Sequence, residues 1–154
     1  MRLTLHTDHA LRLLTLLALE PDRRHTIEEM ARRYGISRNH TMKIVQTLVA
    51  AGFVESVRGR HGGLRLAGDA GKIRLGAVVR ATEDGFALVE CFDQARNACV
   101  ISPACGLRGV LDEALQAFLA VLDRYTLADL TAAPGPARRM RLLLKDLPAM
   151  EARP

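Results

Sequence analysis

The sequence predicts a mainly α-helical chain with one short β-hairpin, and three observations lead there. Residues 26–51 hold two short stretches with helical apolar spacing joined through Gly35, the second with a polar outer stripe. A basic, glycine-rich turn, Arg58-Gly-Arg-His-Gly-Gly63, follows between two short alternating segments. From Leu107 to Tyr125 an apolar stripe then runs for about five helical turns. Together these describe a winged helix-turn-helix with a long dimerisation helix. The expected organisation is a winged-helix unit over residues 1–82, a cysteine loop over 83–106, the long helix over 107–130 and a tail over 131–154.

Residues 7–19 (TDHALRLLTLLAL) are apolar almost all round, which predicts a buried helix. Thr7 is placed to cap it, and Asp8 then lies in the first turn, where a carboxylate suits the helix dipole. Pro21 and Asp22 close it. Residues 26–34 (TIEEMARRY) predict a second helix. Its Thr26 and Glu29 have the spacing in which each side chain caps the other's backbone N–H. Gly35 can take the left-handed conformation that ends it.

A third helix starts after Ser37 and runs to about Ala51. At 100° per residue, Thr41, Ile44, Val45 and Leu48 share one side. Asn39, Lys43 and Gln46 lie opposite, flanked by Arg38 and Met42. On an isolated helix such a stripe would read as a solvated face. The strand-turn-strand pattern of residues 53–66 changes that reading, because a helix-turn-helix followed by a basic-tipped hairpin is a DNA-binding layout. The second helix would enter the major groove with Ser37, Arg38, Asn39, His40 and Lys43. Asparagine suits adenine and arginine guanine, while Lys43 suits a phosphate or guanine. Arg58, Arg60 and His61 at the hairpin tip would follow the backbone or enter a minor groove.

Charge points the same way. Residues 1–68 carry 11 Lys/Arg against 6 Asp/Glu, residues 69–154 carry 11 against 11, and all five histidines fall in the first part. A basic half joined to a neutral half suits a polyanion, with double-stranded DNA the first candidate. No phosphate loop, Ser/His/Asp arrangement or H-E-x-x-H is present, which argues against an enzyme.

Residues 73–82 predict a further short helix, and 125–130 one more turn capped by Thr126. The stripe of residues 107–125 is too long for one small winged helix to cover, so its simplest partner is the same helix of a second copy. A homodimer would also match the two half-sites of a palindromic operator. Ala133-Pro-Gly-Pro136 reads as a linker, RRMRLLLKDL as a short amphipathic helix against the dimer, and the last residues as frayed.

Cys91, Cys99 and Cys105 are the chain's three cysteines, all in one stretch, C-FDQARNA-C-VISPA-C. Arg2 is followed by a short apolar patch and then His6, Asp8 and His9, which predicts no secretory leader. Nothing approaches eighteen consecutive apolar residues, which predicts no membrane span and a cytoplasmic, reducing setting. There, closely spaced thiols hold zinc or an iron–sulfur cluster, act as a redox switch, or stand unligated. Spacing alone leaves these open.

Three stretches resemble one family. They are RLT at the start with HALRLL after Thr7-Asp8, YGISRNHTMKIVQTL, and VRGRHGGLRL. The chain is similar, from Met1 to about Leu130, to iron–sulfur winged-helix transcription factors of the IscR type. The phrases SRNH-x-x-KI and C-x-I-x-PAC-x-L match the nitric oxide-sensing branch of that family. The resemblance implies that Cys91, Cys99 and Cys105 ligate a 4Fe–4S cluster, or else a 2Fe–2S one, and that Asp8 of the other subunit completes it. His6 and His9 are the alternatives to Asp8. The histidine that serves as fourth ligand elsewhere in the family is replaced here by Arg108. The function it implies is an operator-binding repressor released by nitric oxide. A regulator with structural zinc or a thiol switch at the same cysteines is the alternative, and an electron-transfer or enzymatic iron–sulfur protein a more distant one.

Overall fold

The first helix, α1 (Leu5–Leu19), is the centre of the packing in this computed structural model, which describes residues 2–57, 59 and 62–145. Ala10, Leu13, Leu14 and Leu16 on it are fully buried, and Leu17 and Leu19 nearly so. The helix begins two residues earlier than the sequence predicts. Thr4, not Thr7, is the cap, accepting from the Thr7 N–H at 3.2 Å. Thr7 is buried inside the first turn. The backbone N–H of Thr4 also donates to Glu83 (2.8 Å), which ties the start of α1 to the end of a later helix.

Helix α2 (Ile27–Tyr34) is capped by Thr26 and ends in Gly35 at φ 62°. Of the reciprocal capping expected there, the structure shows only the Thr26 half, at 3.1 Å. The Glu29 carboxylate instead pairs with Arg23 (2.6 Å) and Arg33 (2.9 Å). Helix α3 (Arg38–Ala50) buries Thr41, Ile44, Val45 and Leu48 against α1 and α2. Strands β1 (Val54–Val57) and β2 (Gly63–Leu66) pair antiparallel, Val54 opposite Leu66 and Val57 opposite Gly63. Gly63 (φ 148°) sits in a backbone conformation that side-chain-bearing residues rarely adopt, and a Cβ there would lie a tight 3.1 Å from the His25 carbonyl oxygen.

Helix α4 (Leu75–Thr82) starts later than expected because Ile73 and Arg74 are extended. Arg74 bridges to Thr126, with Leu75 donating to the Tyr125 carbonyl (2.9 Å) and Leu127 to that of Ile73 (3.0 Å). Helix α5 (Gly106–Asp123) follows the cysteine loop, and α6 (Leu127–Thr131) is capped reciprocally by Thr126 and Asp129. Arg80 clamps α4 to α5 through two bonds to Asp123 (2.7 and 2.6 Å). The close approach depends on Gly76, where a Cβ would collide with the Asp123 carboxylate.

Two expectations need correcting. Residues 133–136 are not a linker, because α7 (Pro134–Lys145) begins at Pro134. Proline in a first helical turn lacks only an N–H that would be unpaired anyway. That helix packs on its own chain: Ala137 is buried, Arg141 donates to the Leu19 carbonyl (2.9 Å), and Leu144 meets the core of α1. The residues after Lys145, expected to be frayed, lie outside the described ones.

The stripe of α5 is also divided. Leu115, Leu119 and Leu122 pack on Val79, Leu3, Leu11 and the aromatic rings of the cysteine loop. Leu107, Val110, Val121 and Tyr125 stay exposed, roughly a quarter turn around the helix. Leu115 and Leu122 therefore serve the chain's own core, and a narrower outer seam remains.

A polar cluster pins the hairpin to the core. His25 is fully buried, its N–H donating to the Leu64 carbonyl (3.1 Å) and its carbonyl accepting from the Leu64 N–H (2.8 Å). Its ring lies between Glu20 (3.5 Å) and Glu29 (3.7 Å) without a hydrogen bond to either. Burial opposes protonation of His25 more than the two carboxylates favour it, so its pKa falls below the ordinary 6.5. Burial also opposes ionisation of Glu20, but hydrogen bonds from Arg33 and Arg23 outweigh it and hold that carboxyl below 4.5. Both folded values are depressed, so this stability is complete above 6.5 and drains as pH falls, through His25 first and Glu20 later. The urea midpoint should therefore drop between about pH 7.5 and about pH 5.5. A flat midpoint over that range would contradict the assignment.

Candidate functional site

Ser37 initiates α3 by accepting from the His40 N–H (3.2 Å), which fixes where the helix begins and so which residues face outward. Arg38, Asn39, Lys43 and Gln46 are all exposed. The buried residues on the opposite side hold that outer face in a single orientation. Arg38 is not free: its Nε donates to Glu28 of α2 at 2.6 Å, and that bond lowers the Glu28 pKa. With both side chains about 60% exposed, such a pair is weak and can be exchanged for a base or phosphate. Nothing in the sequence links Glu28 to Arg38.

His40, grouped with the readers on sequence grounds, turns inward. Its ring meets His9 edge-on at 5.2 Å and His6 at 5.9 Å. The three-residue spacing of His6 and His9 marks them as one helix face, but their partner lies on another element. Gly59 (φ 108°) makes the hairpin turn, accepting from Gly62 at 2.8 Å. Arg58, Arg60 and His61 at the hairpin tip lie outside the described residues.

The cysteine loop joins α4 to α5. Phe86, Leu88 and Phe92 anchor it on the Val79–Leu115–Leu119 cluster. Beyond Phe92 it is held by local bonds, such as Ala98 N–H to Glu90 (2.6 Å), Asn97 to Ser102 (3.0 Å) and Ser102 N–H to the Cys99 carbonyl (3.1 Å). Cys91 sits in a single helical turn, Glu90–Phe92, and is half-buried. Cys99 is exposed, and Cys105, half-buried, directly precedes α5 and lines an open cleft of about 840 Å³ with Phe86, Phe92, Asp93 and Arg108. All three are free thiols. Among the described residues no group of three or more His, Cys, Asp or Glu side chains is gathered to hold a metal ion.

Asp8 stands elsewhere. Its carboxylate takes two bonds from Arg12 (3.0 and 2.6 Å) and lines an apolar cleft with Leu11, Tyr34, Met140 and Leu143. Tyr34 donates to the Arg12 carbonyl (2.8 Å), and burial pushes its phenol up to about 12, so it stays a donor. The cleft that holds Asp8 is built from α1, α2 and α7, with no residue of its own cysteine loop. The donor chemistry of three unpaired thiols suits a soft metal or an iron–sulfur group. The loop beyond Phe92, tied mainly to itself, can close around one at little cost in packing.

A family model described as "Rrf2: Iron-dependent Transcriptional regulator" matches residues 3–133. The HTH-type transcriptional regulator NsrR of Bacillus subtilis (strain 168) is 55% identical over 131 residues, covering 84% of this chain and 90% of that protein. The regulator of the same name from Geobacillus kaustophilus is 50% identical over 147 residues, covering 95% and 98%. Among solved structures, IscR of T. potens superposes with a TM-score of 0.69 at 22% identity over 86% of this chain and 87% of that one, which speaks for the fold. These likenesses are to regulators, not enzymes. No helix among the described residues is long and apolar enough to cross a membrane.

Proposed function

From the premise that the chain belongs to the Rrf2 family of transcriptional regulators, we propose that it is a cytoplasmic, homodimeric repressor that senses nitric oxide through an iron–sulfur cluster. The observation that carries the reading is that all three cysteines stand unpaired on one loop beside α5, two of them beyond its Phe92 anchor. The matched relatives' printed names add that such a chain regulates transcription through a helix-turn-helix. The exposed seam of Leu107, Val110, Val121 and Tyr125 is the surface a second copy would cover.

In this reading Cys91, Cys99 and Cys105 hold the cluster, of the 4Fe–4S type or else 2Fe–2S. Asp8 of the other subunit completes the set, which accords with its standing apart from its own loop. The cluster supplies irons that react with nitric oxide. The residues do the rest. Asp8 has two competing partners, the loop across the dimer and Arg12 on its own helix, at 2.6 Å. While it serves the loop, the two chains are tied and the α3 helices stand at the spacing of the operator half-sites. When the loop lets go, Asp8 returns to Arg12 and the tie is lost. A coupling of a few kcal/mol is enough to change operator occupancy strongly.

Iron and sulfide per chain after anaerobic purification, with a visible spectrum, test the reading. Straw-brown protein with both elements supports it. Colourless protein with zinc, or metal-free protein whose DNA binding follows reductant, points to the alternatives. Arg38→Ala and Asn39→Ala should each cost about 1–3 kcal/mol of operator affinity and relax base preference. Lys43→Ala should instead lower the salt slope by about one phosphate contact. Equal losses on operator and random duplex for Arg38→Ala would make that residue a phosphate contact.

A further inference from the structure

Where α1 crosses the start of α3, imidazoles meet. His6 and His9, neighbours on one face of α1, both stand edge-on to His40, with interplanar angles of 88° and 83°. His9 Nδ1 and His40 Nε2 are buried with no hydrogen-bond partner.

A buried, unpaired ring nitrogen carries a desolvation cost that an apolar ring of the same shape would not. Such a group in a native fold calls for a reason. Here one orphaned nitrogen belongs to each helix. An imidazole nitrogen can donate or accept, so a hydrogen bond between the two rings would satisfy both. His9 also adjoins Asp8 in the first turns of α1, and His40 is the third residue of the reading helix.

We propose that His9 and His40 are positioning residues that pass the state of Asp8 to the reading helix, their hydrogen bond made in one state of the dimer and broken in the other. This rests on the reading that Asp8 exchanges between the cluster and Arg12. With the group bound across the dimer, the first turns of α1 are drawn by Asp8. With Asp8 back on Arg12, they settle as described here, with both nitrogens unpaired. The contact is then two-state, which a fully satisfied or fully apolar one would not be.

The test uses the full-length dimer, with its cluster and without it, and a duplex selected from random sequence by the cluster-loaded protein. His9→Phe keeps the ring and removes the orphaned nitrogen, so it should fold at least as well as the parent. His6→Phe is the control, since no His6 nitrogen is among the orphaned ones. The parent should bind that duplex on the order of 10–100-fold more tightly with its cluster than without. His9→Phe should retain the parent's iron and sulfide while its ratio contracts to within about threefold of one, and His6→Phe should keep the parent's ratio. A full ratio in His9→Phe overturns the inference and leaves the proposed function standing. Collapse in His6→Phe as well, or loss of iron in His9→Phe, also overturns it, because packing or ligation would then be the cause. A parent ratio near one removes the proposed function itself.

Discussion

Changing any one of Cys91, Cys99 or Cys105 to serine should yield a chain that still dimerises but holds no stable cluster. A serine hydroxyl at neutral pH is a poor, hard donor where the group requires a soft thiolate. The change should leave folding intact, because none of the three thiols belongs to the buried core and the loop beyond Phe92 is held mainly by local bonds. The seam offered to a second copy, from Leu107 to Tyr125, is likewise untouched. Iron and sulfide per chain should therefore collapse in all three variants while the elution volume on sizing stays that of the parent. Normal cluster content in the three variants would refute the ligand assignment. Normal content in only one would show that the set is completed from elsewhere.

The second large effect is on stability. Arg33→Ala should cost about 3 kcal/mol, the low end of the range for breaking a buried pair. The Arg33 side chain is 10% exposed and bonds Glu20 and Glu29, both at 2.9 Å, beside the fully buried His25. Among the described residues, removing it leaves two nearly buried carboxylates with one paired guanidinium, that of the more exposed Arg23. Because His25 pins β2, the loss should fall on the hairpin as well as on the core. Urea unfolding with an unchanged slope measures it. A change below about 1 kcal/mol would mean that Arg23 alone satisfies both acids.

Much of this was legible in the residues. Helix α3 was, because Ser37 is a favoured cap and the 100° spacing separates Ile44 and Leu48 cleanly from Asn39 and Lys43. The hairpin was, because glycines and a basic run interrupt two alternating segments. What was not legible depends on partners far apart in the chain. The start of α1 moved from Thr7 to Thr4 because both threonines can cap, and the Thr4–Glu83 bond decides between them across 79 residues. Ala133-Pro-Gly-Pro136 looks like a linker by composition, yet Ala137 and Leu144 find an apolar surface on α1, and tertiary packing overrides the local signal. The stripe of α5 reads as one face by periodicity, though its inner edge is claimed by Val79 and Phe86. At the site, exposure of Arg38, Asn39 and Lys43 follows from periodicity, whereas Glu28 on Arg38 and the inward turn of His40 depend on contacts between separate helices. The cysteines were found by counting, and their ligand role rests on their chemistry and on resemblance.

The decisive measurement is the operator affinity of one preparation of the dimer, with its cluster and after anaerobic removal of it, at a single salt concentration. Salt must be fixed because phosphate contacts alone can move affinity by orders of magnitude. The expected result is tighter binding with the cluster, on the order of 10–100-fold, abolished by nitric oxide. Equal affinities for the two forms would contradict the claim that these three thiols govern the reading helices.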